Sequence, residues 1–374
     1  MSNKEPGAMS PRDRFTAAFE HRTPDRVPID YQSKTAIDKK LKAFYGISSE
    51  REILDTLGCD FYYLSVRDIS QNETALPIYR GPELYFSNTE RNCPFGIRFN
   101  RTVLTDKFGA DEAIEGPLEN AASAKDILDY PWPDPKWFDI EPLLEECEAF
   151  SDKVIIGGFW SGILGDSYRM HGFENFLLNL AMKPDIIKTL VDRMTDFYLE
   201  LNERAFSVLK GKLDIFFFGN DFGSQKGLLF SEEMWDEYFG ENYKKLCGLA
   251  HSYGFKTMAH SCGSIYKILN RLIDAGVDII DPVQTTAADM APEKLKERFG
   301  DRIVFHGAID TQHILPKGTP EEVRTHAEET IRILGKDGGY IFVSCNSLQD
   351  DTPVENIDMM YRTAREFRYQ DAAL

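Results

Sequence analysis

Apolar residues in this chain gather in short, nearly unbroken runs, separated by longer stretches where they recur every three or four positions. The runs are VPIDY (27–31), CDFYYLSV (59–66), VIIGGFW (154–160), DIFFFGND (214–221), FKTMAH (255–260), VDIIDP (277–282), RIVFHGAI (302–309) and GYIFVSC (339–345). Continuous rather than alternating apolar character marks strands covered on both faces, as parallel strands are when helices pack over them. The stretches between them read as amphipathic helices with legible ends. Ser231 is placed to cap a helix through MWDEYFGENYKKLCGLAHSYG that stops near Gly254. Thr319-Pro320-Glu321-Glu322 reads as a capping box with proline at the first helical position, and Thr352-Pro353-Val354-Glu355 repeats that pattern before the final helix. Roughly eight strand–helix repeats predict an α/β fold, a (β/α)8 TIM barrel forming one domain over 1–374 with an N-terminal helical segment. No GxGxxG or GxxxxGK[ST] follows the first strand, which disfavours an open nucleotide-binding sheet.

One region breaks the rhythm. Residues from about 70 to 140 hold β-leaning, turn-rich sequence (ELYFSN, GIRFNRTVL) and the proline-dense YPWPDPKW. This reads as an insertion after the second strand that carries a hairpin. It is either a lid or rim at the barrel mouth or a structural flap with no part in chemistry.

Charge narrows the partners. With 43 basic against 61 acidic residues the net charge is −18. Such a surface repels phosphate backbones and anionic bilayers, so neither nucleic acid nor membrane is an expected partner. No run approaches the ~20 apolar residues of a membrane helix, and MSNKEPGAMSPRDRF has no apolar signal core, so a cytoplasmic location is expected. Six cysteines spread over 374 residues do not form a disulfide framework. Reduced, each is core filler, a ligand or a reactive thiol.

The chemistry of a barrel collects at the C-terminal ends of its strands. Here His260-Ser261-Cys262 ends one strand and Cys345 ends the last. Two residues apart on a strand, His260 and Cys262 point the same way. With Cys345 they make a His/Cys/Cys set, three soft donors that select zinc over magnesium or calcium and leave a coordination position open, as catalytic zinc requires. The competing reading is two small core cysteines and a hydrogen-bonded histidine. Other polar residues ring the same opening: Asp68, Tyr168, Asn220 and Asp221, Asp281 and Gln284, Asp310 and Gln312, and Gln349. Each taken alone also reads as a helix cap or loop hydrogen bond, Asp281 before Pro282 above all.

Several segments together resemble one superfamily. RDRFTAAFEHRTPDRVPI, GFWSGILGDSYRMHGF, GFKTMAHSCGSIYKILNRLIDAGVDIIDPVQ, VFHGAIDTQHILPKGTPEEV and TPVENI are similar to the uroporphyrinogen decarboxylase superfamily, and within it to the cobalamin-dependent methyltransferase branch. The strand-end positions of Asp221, Gln284, Asp310 and Gln349 make them candidates for substrate contact, and the resemblance implies catalytic roles for Asp68 and Tyr168 and zinc on His260, Cys262 and Cys345. It further implies methyl transfer between a corrinoid (cobalamin) carried by a partner protein and a small-molecule methyl donor or thiol acceptor. Pro94-Phe95-Gly96-Ile97 echoes the family's hairpin after the second strand. Two departures stand out. The family's arginine-rich RQAGR stretch is replaced by DYQSKTAIDKK, which has no guanidinium group to pair bidentately with the carboxylates of a tetrapyrrole. The histidine-glycine motif after the last strand is replaced by Cys345-Asn346-Ser347. Porphyrinogen decarboxylation without metal is therefore the second expectation, and a silent scaffold for a corrinoid protein a distant third. The loop from Cys345 to Thr352-Pro353 is also about one residue longer than the family pattern. If the loop does not absorb it, Cys345 points away and Asn346 faces the pocket.

Overall fold

The structure, a computed structural model, describes residues 8–66, 77–105 and 108–369, with backbone only for 101–105 and 108–111. Asp68 lies outside the described residues. Among the described residues ten strands follow one another: β1 (Phe61–Tyr63), β2 (Glu90–Asn92), β3 (Arg98–Thr105), β4 (Phe108–Glu115), β5 (Val154–Gly157), β6 (Ile215–Gly219), β7 (Lys256–His260), β8 (Ile279–Val283), β9 (Val304–Ile309) and β10 (Tyr340–Ser344). Seven of them form one sheet in the order β1-β5-β6-β7-β8-β9-β10, every neighbouring pair parallel. These are the apolar runs from CDFYYLSV onward, and helices connect them.

The remaining run, VPIDY, joins both edges of that sheet. Ile29 forms a parallel bridge with Phe342, the Asp30 amide donates to the Phe342 carbonyl at 2.9 Å, and the Asp60 amide donates to the Ile29 carbonyl at 2.7 Å. Pro28 has no N–H to give to a ladder, which keeps this segment to a bridge rather than a full strand. The curled sheet with its edges tied by 28–30 is compatible with a TIM-like barrel.

Inside the curl, one residue set points inward from successive strands: Phe61, Val154 and Ile156, Ile215 and Phe217, Met258, Ile279, Val304 and Ile341. Phe15, from the helix Pro11–Phe19, packs into the same cluster, so the N-terminal helix belongs to this inner core. The residues that alternate with these face the outer helices and belong to the larger core. Ser231 caps its helix through the Met234 amide, and Thr319 and Glu322 form a reciprocal capping box. The pattern at 352–355 does not form a box. The last helix, Val354–Glu366, has Pro353 at its cap position, whose ring has no polar atom to cap with, and the Thr352 amide turns back to the Gln349 carbonyl.

Between β1 and β5 the chain forms a separate antiparallel sheet, β2-β3-β4. Its first turn, 93–97, closes with the Gly96 amide on the Cys93 carbonyl at 2.8 Å. Gly96 has φ +77, and a Cβ there would lie 2.5 Å from the Tyr130 hydroxyl, which itself donates to the Phe95 carbonyl. Phe95 is fully buried against Phe197, Tyr198 and Trp132, and so fixes this turn to the long helix Pro184–Leu209.

Candidate metal centre and adjoining cleft

His260 is the last residue of β7, and Cys262 follows in the loop beyond it. Their ligating atoms meet, with Cys262 Sγ 3.4 Å from His260 Nε2. From the neighbouring strand end, Asp221 brings Oδ1 to 3.4 Å from the same Nε2, and that oxygen also accepts from the Cys262 amide at 2.9 Å. The three donor atoms all lie within 4.8 Å of one another. Small residues make this convergence possible. A Cβ on Gly219 would stand 2.4 Å from His260 Cβ, and one on Gly263 would stand 2.6 Å from the Gly223 carbonyl carbon. With φ +84, Gly263 also adopts a backbone that other residues rarely do.

A buried chain of polar groups lies behind the imidazole. His260 Nδ1 is 2.5 Å from Asp281 Oδ2, and Asp281 Oδ1 is 2.6 Å from His306 Nδ1. His306 Nε2 is 2.9 Å from Asp30 Oδ2, which also accepts from the Tyr63 hydroxyl at 2.7 Å. Asp30, Asp281 and His306 are each 2% exposed or less. Burial disfavours charge on His306, but the two carboxylates outweigh it and push the imidazole up to about 9. Burial likewise opposes charge on Asp281, and the two imidazoles hold its carboxyl well below the ordinary range. For His260, desolvation is outweighed by the Cys262 thiolate and by Asp221 and Asp281, so it stands well above its ordinary value. Asp221, opposed by desolvation but paired with His260, is lowered. With Nδ1 committed to a carboxylate, Nε2 is the nitrogen presented to Cys262 and Asp221, the orientation that metal-binding histidines receive from a carboxylate behind them. Imidazole, thiolate and carboxylate together suit zinc.

The other sequence candidates occupy distinct places. Cys345 is buried, its Sγ 3.3 Å from Thr311 Oγ1. Burial raises its thiol, bonding to Thr311 works the other way, and the charge of Cys262 adds to the rise. Asn346 faces the cleft, with its amide nitrogen 3.6 Å from Cys262 Sγ. Tyr168 lies half-buried in the helix Ile163–His171, edge-on to Phe173 and beneath Arg169, and Asp221 is among the charges acting on its hydroxyl. Gln284 accepts from the Gly263 amide at 2.7 Å, which steadies the loop after Cys262. Asp310 accepts from the Gln312 and His313 amides, a turn contact, and Gln349 donates to the Ser347 carbonyl. Asn220 ties strand to helix by accepting from the Leu164 amide at 2.7 Å. Asp281 is not a loop cap: it lies within β8 between two imidazoles. The sequence reading passed over Asp30, Tyr63, Trp160 and His306. For His306 the signal was a histidine inside the apolar run RIVFHGAI, a placement that demands a buried partner.

Beside the metal-type donors opens a cleft of about 380 Å³ lined by residues that include Tyr31, Asp38, Tyr63, Trp160, Phe217 and His260. Trp160 is 5.1 Å from Phe217 at 83°, Tyr63 is 5.7 Å from Phe217 at 63°, and Trp160 is 5.5 Å from the His260 ring. Asp38 accepts from the Tyr31 and Ser33 hydroxyls at 2.6 and 2.5 Å. No lysine or arginine lines the cleft among the described residues.

Strands that end in a shared polar mouth, with soft donors converging on it, define an α/β protein whose site is built at the carboxyl ends of a curled parallel sheet. The family is given by sequence: residues 113–367 match the model of the uroporphyrinogen decarboxylase (URO-D) family, and the chain belongs to that family. Among solved structures it is similar to a methyltransferase from Methanosarcina mazei, at 16% identity and a TM-score of 0.67, covering 96% of this chain and 99% of that one. An L-ribulose 3-epimerase (11% identity, 63% of this chain and 80% of that one, TM-score 0.38) and a D-tagatose 3-epimerase-like protein (13%, 63% and 85%, 0.36) are too distant to bear on the reading. No curated protein matches the chain. Among the described residues no helix is long and apolar enough to cross a membrane.

Proposed function

We propose that the protein is a cytoplasmic, zinc-dependent methyltransferase that moves a methyl group between a small molecule and a corrinoid carried by a partner protein. The observation behind this reading is the meeting of His260 Nε2 and Cys262 Sγ at 3.4 Å at a strand end, with a carboxylate orienting the imidazole from behind. His260, Cys262 and Asp221 would hold the ion as the side chains stand. Cys345, the third ligand that the family resemblance implies, stands outside this group of three with its thiol on Thr311. A bound zinc ion supplies Lewis acidity, either making a thiol acceptor nucleophilic or polarising the heteroatom that gives up its methyl group. The chain's own residues do the rest. Asp281 fixes the imidazole, Gln284 holds the loop, and Asn346 and Trp160 bound the cleft where the small molecule would lie. Tyr168 and Asp68 are the proposed catalytic polar groups, with Asp310 and Gln349 shaping the rim. The antiparallel sheet β2–β4 is the proposed docking rim for the corrinoid protein.

The porphyrinogen-type lyase is the weaker reading, because a polycarboxylate would meet carboxylates and aromatic rings here rather than guanidinium groups. Elemental analysis tests the proposal. Zinc is expected near one per chain and is lost in the His260→Ala/Cys262→Ala variant with the fold retained; stoichiometric metal in that variant overturns the site. Comparing Cys345→Ser with Asp221→Ala assigns the third donor to the thiolate or the carboxylate.

A further inference from the structure

The cleft beside His260 has a chemistry that narrows what it accepts. Three rings, Tyr63, Trp160 and Phe217, stand at steep angles to one another and so present faces to a shared space from different directions. Asp38 adds a carboxylate to the lining, with Glu50 exposed at the edge, and the described lining contains no lysine or arginine. Ring faces carry negative potential and attract cations. An anion entering this space would meet no lysine or arginine, only the His260 ring already paired with Asp281 and Asp221, and would face Asp38 and the negative ring faces. A neutral guest would fill the volume but gain nothing from the carboxylates. At about 380 Å³ the space suits a small organic molecule rather than a macrocycle.

We propose that this cleft binds a small methylated ammonium cation, with its methyl-bearing nitrogen held against Trp160, Phe217 and Tyr63 and its charge balanced by Asp38. This rests on the methyl-transfer reading and deepens it by naming the substrate class: a quaternary or tertiary methylammonium, in place of a methyl ether or a thiolate. Its C–N bond would break with the electron pair left on nitrogen as a neutral amine while the methyl carbon bonds to the partner's corrinoid, so that zinc would act only on that departing pair. Trp160 contacts both Phe217 and the His260 ring, so a nitrogen lodged on its face lies next to the candidate metal donors.

The test uses three probes of nearly one shape: choline, the neutral 3,3-dimethylbutan-1-ol and the anionic 3,3-dimethylbutanoate. Each is titrated into the full-length protein and followed by calorimetry and tryptophan fluorescence. Choline is expected to bind about tenfold or more tightly than the alcohol, a difference that is the cation's share of the interaction with the rings and Asp38; the anion should bind more weakly than both. Trp160→Leu should cost choline about tenfold while leaving the alcohol nearly unchanged, and Trp160→Phe should restore most of the loss. Thermal melting of each variant confirms that it folds. Equal binding of choline and the alcohol, preference for the anion, or no choline binding at millimolar concentration would each overturn the cation assignment. Zinc content, measured on the same samples, separates this failure from failure of the methyltransferase reading: a zinc-loaded protein that prefers the alcohol loses only the ammonium substrate.

Discussion

Replacing Asp281 by asparagine tests the electrostatic support of the site with almost no change of shape. In the native chain both carboxylate oxygens accept from imidazole nitrogens, at 2.5 Å from His260 and 2.6 Å from His306, in a position only 2% exposed. An amide can accept from one of these rings, but its NH2 then confronts the N–H of the other. At least one charge-assisted hydrogen bond is lost, worth roughly 1.5–3 kcal/mol. The protonated His306 ring also loses one of its two carboxylates, and removing a partner from a buried pair costs about 3–5 kcal/mol. Because Asp30 still pairs with His306, the lower end applies, about 3 kcal/mol. With an unfolding entropy of about 2.1 cal/mol/K per residue, a chain of 374 residues should melt about 4 °C lower. The second effect falls on the metal. Without a carboxylate to hold the proton on Nδ1, the His260 tautomer is no longer fixed, and zinc affinity should drop about 10–100-fold. Calorimetric melting of the metal-free protein measures the first effect, and competition with a chromophoric chelator measures the second. A variant that melts within about 1 °C of the parent and keeps its zinc affinity would refute the idea that Asp281 anchors the imidazole.

Three other perturbations follow from the same geometry. Gly219→Ala puts a methyl group 2.4 Å from His260 Cβ, so the strand end must shift; stability should fall by about 1–3 kcal/mol and zinc should be lost together with it, as followed by denaturant titration and elemental analysis. Phe95→Ala empties a fully buried site against Phe197 and should cost about 3–5 kcal/mol, with faster proteolysis near the 93–97 turn; an unchanged urea midpoint would contradict the packing described. For pH the sign is set by His306, whose folded value is raised to about 9 from an ordinary 6.5. Its contribution is complete below pH 6.5 and lost as pH rises through about 9, amounting to about 3 kcal/mol, so melting temperatures of the metal-free protein should fall over that window and the fall should shrink in His306→Gln.

Seven of the eight predicted strands were legible because two-sided burial leaves continuous apolar runs. The eighth, VPIDY, reads as a strand but forms only a bridge, since Pro28 cannot donate; the run is tied by two backbone hydrogen bonds to Phe342 at one edge and one from the Asp60 amide at the other. The turn at Pro94–Ile97 was suggested by the family resemblance, and in the structure Gly96 has a positive φ. The His260–Cys262 pair was visible from its two-residue spacing. What surrounds it was not, because Asp281 and His306 come from two strands, Asp30 from the bridged segment 28–30, and nothing local ties them together. Asp281 looked like a turn residue for the good reason that proline follows it; its two imidazole partners lie 21 and 25 positions away. The structure places the Asn346 amide nitrogen 3.6 Å from Cys262 Sγ, on the wall of the cleft.

The line Tyr63–Asp30–His306–Asp281–His260 crosses the same gap that VPIDY closes with so few backbone hydrogen bonds. The side chains that aim the imidazole thus also supply at the seam part of what an edge ladder supplies elsewhere. Loosening the seam at Ile29 would then be felt some strands away as a wandering histidine, and amide exchange at Asp30 and at Cys262 would rise in step.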